Sequence, residues 1–213
     1  MTAAATIALV VAIPFAAGDW WSRLRDDRRL EVICKPATLV ALIVAAATLD
    51  PAAGEGDRRV WFVAALVFSL AGDVFLLFPA RFIAGLAAFL VAHLCYVAGF
   101  WTDPPAATSL VVSAVFVSAV LAPVAFRILR AVREAGPRGD VGPVAAYVGV
   151  ISAMVVSALA SGNAVAGVGA VVFAGSDSLI AWDRFVRSRP WMSVTIMVTY
   201  HLGQLFLVLS LLE

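Results

Sequence analysis

Long apolar runs follow one another along the chain, and the short polar segments between them alternate between arginine-rich and arginine-poor. A bilayer's hydrocarbon core takes about 20 apolar helical residues to cross. Eight runs approach that length: Thr2 to Ala17, Ile33 to Leu49, Val60 to Phe78, Phe82 to Trp101, Ala106 to Phe126, Pro143 to Ala160, Asn163 to Trp182 and Trp191 to Leu212. The first is short and interrupted by Pro14. No Lys or Arg precedes it and several Arg follow, which suits a retained helix better than a cleaved signal. The expected fold is all-α, a polytopic membrane bundle of about eight transmembrane helices in one integral membrane domain spanning residues 1–213.

Composition agrees with that pattern. Hydrophobic residues make up 63% of the chain, charged residues 14%, and mean hydropathy is +1.00, whereas soluble domains are nearer half apolar and a quarter charged. The charges are sorted by side. Arg23, Arg25, Arg28, Arg29, Arg81, Arg127, Arg130, Arg133, Arg138, Arg184, Arg187 and Arg189 fall in alternate loops, and only Arg58 and Arg59 in the others. The positive-inside rule assigns the rich set to the cytoplasm and both termini to the outside. The expected location is a plasma membrane of bacterial type. A net charge of +1, distributed in this way, offers no basic patch for nucleic acid. Cys34 and Cys95 lie inside predicted spans without metal-ligand spacing and read as buried free thiols.

Against this background the ionisable residues within spans stand out, because a carboxylate in hydrocarbon costs several kcal/mol unless it is paired, protonated or facing a polar cavity. Asp73 and Asp177 are the two acidic residues so placed. Each is followed by a short Arg-containing loop and a helix with central polar residues: His93 and Tyr96 after the first, Tyr200, His201 and Gln204 after the second. This faint repeat would divide the bundle into two four-helix halves of like orientation. At about 1.5 Å of rise per residue, Lys35, Asp73 and Asp177 lie roughly 9–12 Å in from the nearest cytoplasmic Arg, and His93 and His201 roughly 18 Å in. Five ionisable residues from five helices thus occupy compatible depths and can line one pocket open to the cytoplasm. His93 and Tyr96 share a helical face, as do Tyr200 and Gln204. Ser69 is one turn before Asp73, within reach of its carboxylate. Gly72, Gly85, Gly169, Gly175 and Gly203 would let helices approach closely. Trp20, Trp21, Trp61, Trp101, Trp182 and Trp191 sit at span ends, as an aromatic belt requires.

Lys35-Pro36, Gly72-Asp73 with Leu76 and Leu77, then Phe82, Gly85, Phe89, His93 and Tyr96, resemble the YhhN family of integral membrane proteins. Gly169-Ala170, Phe173, Ser176-Asp177, Tyr200 and Gly203-Gln204 look like that family's closing pair of helices. The resemblance is good over spans two to four and seven to eight and poor over spans five and six, and His201 has no place in it. It implies hydrolysis of the vinyl ether bond of a lysoplasmalogen, a lysophospholipid substrate, to a fatty aldehyde and a glycerophospho-alcohol.

That chemistry suits the residues. Protonating the β-carbon of a vinyl ether makes an oxocarbenium ion, to which water adds. The site then needs a protonated carboxylic acid, a stabilising anion and a base, and two buried carboxylates in one site favour opposite protonation states. Asp73 and Asp177 are the expected acid and stabilising carboxylate, in either order, with His93 positioning water and Tyr96 or Tyr200 donating hydrogen bonds. Lys35 and Arg81 suit the substrate phosphate; Gln204 joins Tyr96 and Tyr200 as a substrate-binding residue. Neither metal nor cofactor is expected, since no His-Glu-x-x-His or similar pair occurs, although His and Asp on facing helices are able to bind zinc. The rival reading is a proton-coupled transporter of a small molecule or lipid, which would use the same intramembrane Asp, Lys and His.

Overall fold

The computed structural model describes residues 1–135 and 141–213. Among these, eight helices are long and apolar enough to cross a membrane, and there is no strand. They are α1 Ala3–Arg25, α2 Arg28–Thr48, α3 Gly56–Leu76, α4 Phe82–Phe100, α5 Ala107–Glu134, α6 Val141–Ala160, α7 Ala164–Phe185 and α8 Met192–Leu209, with single 3₁₀ turns at Pro79–Arg81 and Ser210–Leu212. The protein is an integral membrane helical bundle. Arg138 lies outside the described residues.

Helix ends are set by local chemistry. Thr2 caps α1 by accepting from the Ala5 amide at 3.0 Å, Asp27 caps α2 from Arg29 and Leu30, and Asn163 caps α7 from Ala166 at 2.8 Å. Each relieves an amide that a helix N-terminus leaves unpaired. Several helices exceed their apolar runs: α1 continues to Arg25, α2 starts at Arg28 and α5 reaches Glu134. The apolar pattern marks where hydrocarbon would end, but backbone hydrogen bonding carries a helix further. Arg23 and Arg28 both pair with Glu31, at 3.0 and 2.8 Å, holding the α1–α2 corner together. Pro14, Pro36 and Pro123 sit inside continuous helices.

Sequence neighbours pack as hairpins, α1 on α2, α3 on α4, α5 on α6 and α7 on α8. Small residues make the closest approaches possible. A Cβ at Gly203 would meet the Phe173 backbone at 2.9 Å, and one at Gly72 the Phe89 ring at 2.6 Å. Gly175, expected to serve likewise, faces nothing within 4 Å. The buried face of α1 is a stripe of Ala5, Ala8, Ala12 and Ala16 that ends in Asp19 and Ser22. Cys34 and Cys95 are buried free thiols. At the bundle's centre the Phe173 ring touches those of His93 at 4.8 Å and Tyr200 at 5.4 Å. It therefore lies between the residues that serve the two intramembrane aspartates.

Candidate active site

Asp73, on α3, is 1% exposed. Lys35 of α2 places Nζ 3.0 Å from its Oδ1, and the Tyr200 hydroxyl of α8 donates to Oδ2 at 2.8 Å. A buried carboxylate thus meets a full positive charge and a hydrogen-bond donor, the pairing that makes a buried ion tolerable.

Asp177, on α7, is 8% exposed and among the described residues meets no Lys or Arg. The Tyr147 hydroxyl of α6 donates to Oδ2. His93 of α4 has Nε2 3.4 Å from that oxygen. Its Nδ1 lies 2.6 Å from the Phe89 carbonyl, which can only accept, so Nδ1 carries the ring proton. Nε2 of the neutral ring is then a lone pair, and two acceptors attract only with a proton on one of them. At 3.4 Å Nε2 faces the Asp177 carboxyl without a hydrogen bond in this arrangement.

The two carboxylates are served in matching ways. Each takes one partner from the preceding helix, Lys35 on α2 or Tyr147 on α6. Each takes the other from the last helix of the opposite half, Tyr200 on α8 or His93 on α4. The sequence carries a related regularity. Asp73 is followed 23 residues later by Tyr96 and 26 later by Gly99, and Asp177 at the same intervals by Tyr200 and Gly203, although the residue matched to Tyr200 is then Tyr96, which meets Gln204 and not Asp177. Tyr96 completes the centre by donating to Oε1 of the buried Gln204.

On the far side of Asp177 an apolar groove runs between α4, α5, α6 and α7. Asp177 and Tyr147 stand in its wall among residues such as Leu86, Leu121, Val148 and Ile151. Asp73, Lys35 and Tyr200 are not part of that wall. At the groove's Arg-rich end Phe82 and Phe185 form the rim.

Some expected members stand elsewhere. Arg81 is exposed and stacks over Phe78 at 5.6 Å, away from both carboxylates. Lys35 is committed to Asp73 rather than open to a phosphate. The Ser69 hydroxyl, though fully buried, makes no hydrogen bond with Asp73. His201 accepts from Trp20 Nε1 at 3.1 Å and is turned toward α1. Among the described residues no three His, Cys, Asp or Glu side chains converge to hold a metal ion.

Residues 30–211 match the YhhN family. The chain belongs to the YhhN family. Relatives include a human lysoplasmalogenase TMEM86B, 40% identical over 70% of this chain and 62% of its own length. The mouse protein of that name is 33% identical over 99% of this chain and 84% of its own. A lysoplasmalogenase of Mycobacterium tuberculosis is 34% identical over 80% of this chain and 66% of its own. The match thus spans just under two thirds of the human and mycobacterial relatives. No solved structure matches it.

Within this YhhN-family bundle, sequence reasoning missed Tyr147. The protein has only three tyrosines, and all three hydroxyls enter the central network, so their scarcity was the available signal. Asp19 was missed too. It is fully buried, with Arg23 Nε 3.6 Å from Oδ1, and its place on the alanine stripe of α1 marks it as inward-facing.

Proposed function

We propose that this protein is a lysoplasmalogenase in which Asp177 is the general acid and Asp73 the permanent carboxylate. The observation that carries the assignment is the asymmetry of their partners. Asp73 has an ammonium at 3.0 Å, which holds it as an anion. Asp177 has a phenol and a neutral imidazole and opens onto an apolar groove, surroundings that favour the protonated form.

A single alkenyl chain lying in the groove brings the vinyl ether against Asp177. The carboxyl proton passes to the β-carbon, the double bond's electrons form the new C–H bond, and positive charge spreads over the α-carbon and the ether oxygen. The Asp177 carboxylate now faces that cation, and the fixed negative charge of Asp73 adds to the stabilising field. Water adds to the α-carbon and returns a proton to Asp177, with His93 as its orienting partner. The hemiacetal then collapses, its hydroxyl proton moving to the departing glycerol oxygen. Aldehyde and glycerophospho-alcohol leave, and the acid is regenerated without an outside proton. Tyr147 keeps the carboxyl aimed at the groove; Tyr200, Tyr96 and Gln204 hold Asp73 and its surroundings. In the bilayer we place the Arg-rich ends, and with them the groove mouth, toward the cytoplasm.

The test is mass spectrometry of purified protein incubated with a lysoplasmalogen in ¹⁸O-water. Unlabelled glycerophospho-alcohol, released with aldehyde by the parent and lost in Asp177→Asn, supports the reading. Label in the glycerol product, or full activity of the variant, overturns it.

A further inference from the structure

Lys35 and Arg81, the cations the sequence offers for the substrate phosphate, are buried against Asp73 in one case and turned over Phe78 in the other. A different pair stands at the groove mouth. The Arg184 guanidinium lies 3.6 Å over the ring of Phe82 and 5.8 Å from that of Phe185, the two rim residues. Arg127, on α5 directly before the groove-wall residue Ile128, stacks over Trp182 at 5.9 Å. It shares a surface cleft with Phe185. Among the described residues neither forms an ion pair with a carboxylate, whereas the neighbouring Arg130 is held by Glu134 at 2.7 Å. Two guanidinium groups therefore flank the rim with their polar edges free of acidic partners, stacked on aromatic faces that fix their position.

Their depth fits the chemistry. Arg184 is seven residues beyond Asp177 on α7, roughly 10 Å along the helix. In a 1-alkenyl lysophospholipid seven bonds separate the carbon that receives the proton from the phosphorus. At roughly 1.2 Å of advance per bond in an extended chain, that is roughly 8 Å. With the vinyl ether at Asp177, the glycerol lies along the groove toward Phe82 and Phe185, the phosphate falls at the rim, and the alkenyl chain runs the opposite way, inward past Ala174 and Ile151.

We propose that Arg184 and Arg127 form a phosphate subsite that selects substrates carrying a phosphodiester headgroup. The inference rests on the lysoplasmalogenase reading for its substrate, and the test separates the two. Aldehyde release is compared for a choline lysoplasmalogen and for the corresponding 1-alkenylglycerol, which lacks phosphate, in the parent, the double variant Arg184→Ala/Arg127→Ala, and Arg25→Ala. Arg25 stacks over Trp21, away from the groove, and serves as a matched surface arginine.

The double variant should lose on the order of tenfold or more in kcat/KM on the phosphate-bearing lipid, mainly through KM. It should stay within about twofold of the parent on the alkenylglycerol. Arg25→Ala should change neither, and Arg184→Lys should recover only part of the loss, since an ammonium replaces a bidentate fork. Equal losses on both substrates, or none on the phosphate-bearing one, overturn the subsite. If the parent releases aldehyde from neither, the lysoplasmalogenase reading fails, and binding decides the subsite. A non-cleavable 1-alkyl lysophosphatidylcholine should then bind the parent more tightly than 1-alkylglycerol does, an advantage the double variant abolishes; an advantage that survives in the variant overturns it.

Discussion

Asp73 and Asp177 occupy corresponding places in the two halves of the bundle, each meeting one partner from the helix before it and one from the opposite half. They differ in what those partners carry. At Asp73 the preceding helix supplies an ammonium and the other half a phenol; at Asp177 the preceding helix supplies a phenol and the other half an imidazole. One carboxylate, 1% exposed, is paired with an ammonium, and the other, 8% exposed, has a phenol and an imidazole beside it and stands in the wall of an apolar groove. On the mechanism proposed above, the same scaffold position does electrostatic work in one half and proton transfer in the other. What separates them is the residue on a neighbouring helix, Lys35 or Tyr147.

The sharpest way to break this comparison is to remove the transferable proton. Asp177→Asn keeps the shape and should lower aldehyde release by about a thousandfold, within the usual contribution of a general acid, with the protein still folded by size-exclusion chromatography. Asp73→Asn should cost less in rate, on the order of a hundredfold, and more in stability. It leaves Lys35 buried without its counter-charge, a loss of about 3–5 kcal/mol that thermal unfolding in detergent would register. Pairing it with Lys35→Met should restore much of that stability while activity stays low. If stability and activity return together, Asp73 is a structural partner of Lys35.

The hydroxyls sharpen the contrast at smaller scale. Tyr147→Phe removes the donor to the acid and should slow turnover by about tenfold, the worth of one hydrogen bond of about 1 kcal/mol or somewhat more. Tyr200→Phe should affect rate less than Tyr147→Phe and act more on thermal stability. The smallest effect on the chemistry belongs to the framework. Gly203→Ala puts a methyl 2.9 Å from the Phe173 backbone, which should prise α8 from α7 and cost about 1–3 kcal/mol, with a proportionate loss of folded protein but no change in the pattern of products.

Much of this arrangement was legible in the chain. Eight spans followed from apolar run length, and Asp73, Asp177 and His93 from the cost of placing such groups in hydrocarbon. Matching depths along the helices placed His93 beside Asp177, but the expected single pocket of five ionisable residues is divided: Asp73 and Lys35 stand outside the groove wall and His201 turns to Trp20. Rotation of one helix against another was not legible, because it depends on packing between residues far apart in sequence. That is why Lys35, at a depth suited to the interface, was assigned to a phosphate and is found on Asp73. It is also why Tyr147, in a span that otherwise reads as featureless, went unnoticed although its hydroxyl meets Asp177. The correspondence of the halves was read from each Asp, the short Arg-containing loop after it and the polar helix that follows; the equal 23-residue interval from each Asp to a Tyr agrees with it but was not used. Arg81 could be placed near the groove by sequence distance alone, but its side chain turns to Phe78, while Arg184 and Arg127 reach the rim from α7 and α5.

The central claim is that Asp177 delivers a proton to carbon. Turnover of a lysoplasmalogen in deuterium oxide, with the aldehyde trapped at once by borohydride and examined by mass spectrometry, tests it most directly. One solvent deuterium at carbon 2 of the chain, formed at a rate that slows in D₂O and collapses in Asp177→Asn, is the predicted result. Aldehyde without deuterium at that carbon, or deuterium introduced as fast by the Asn variant, would contradict the account.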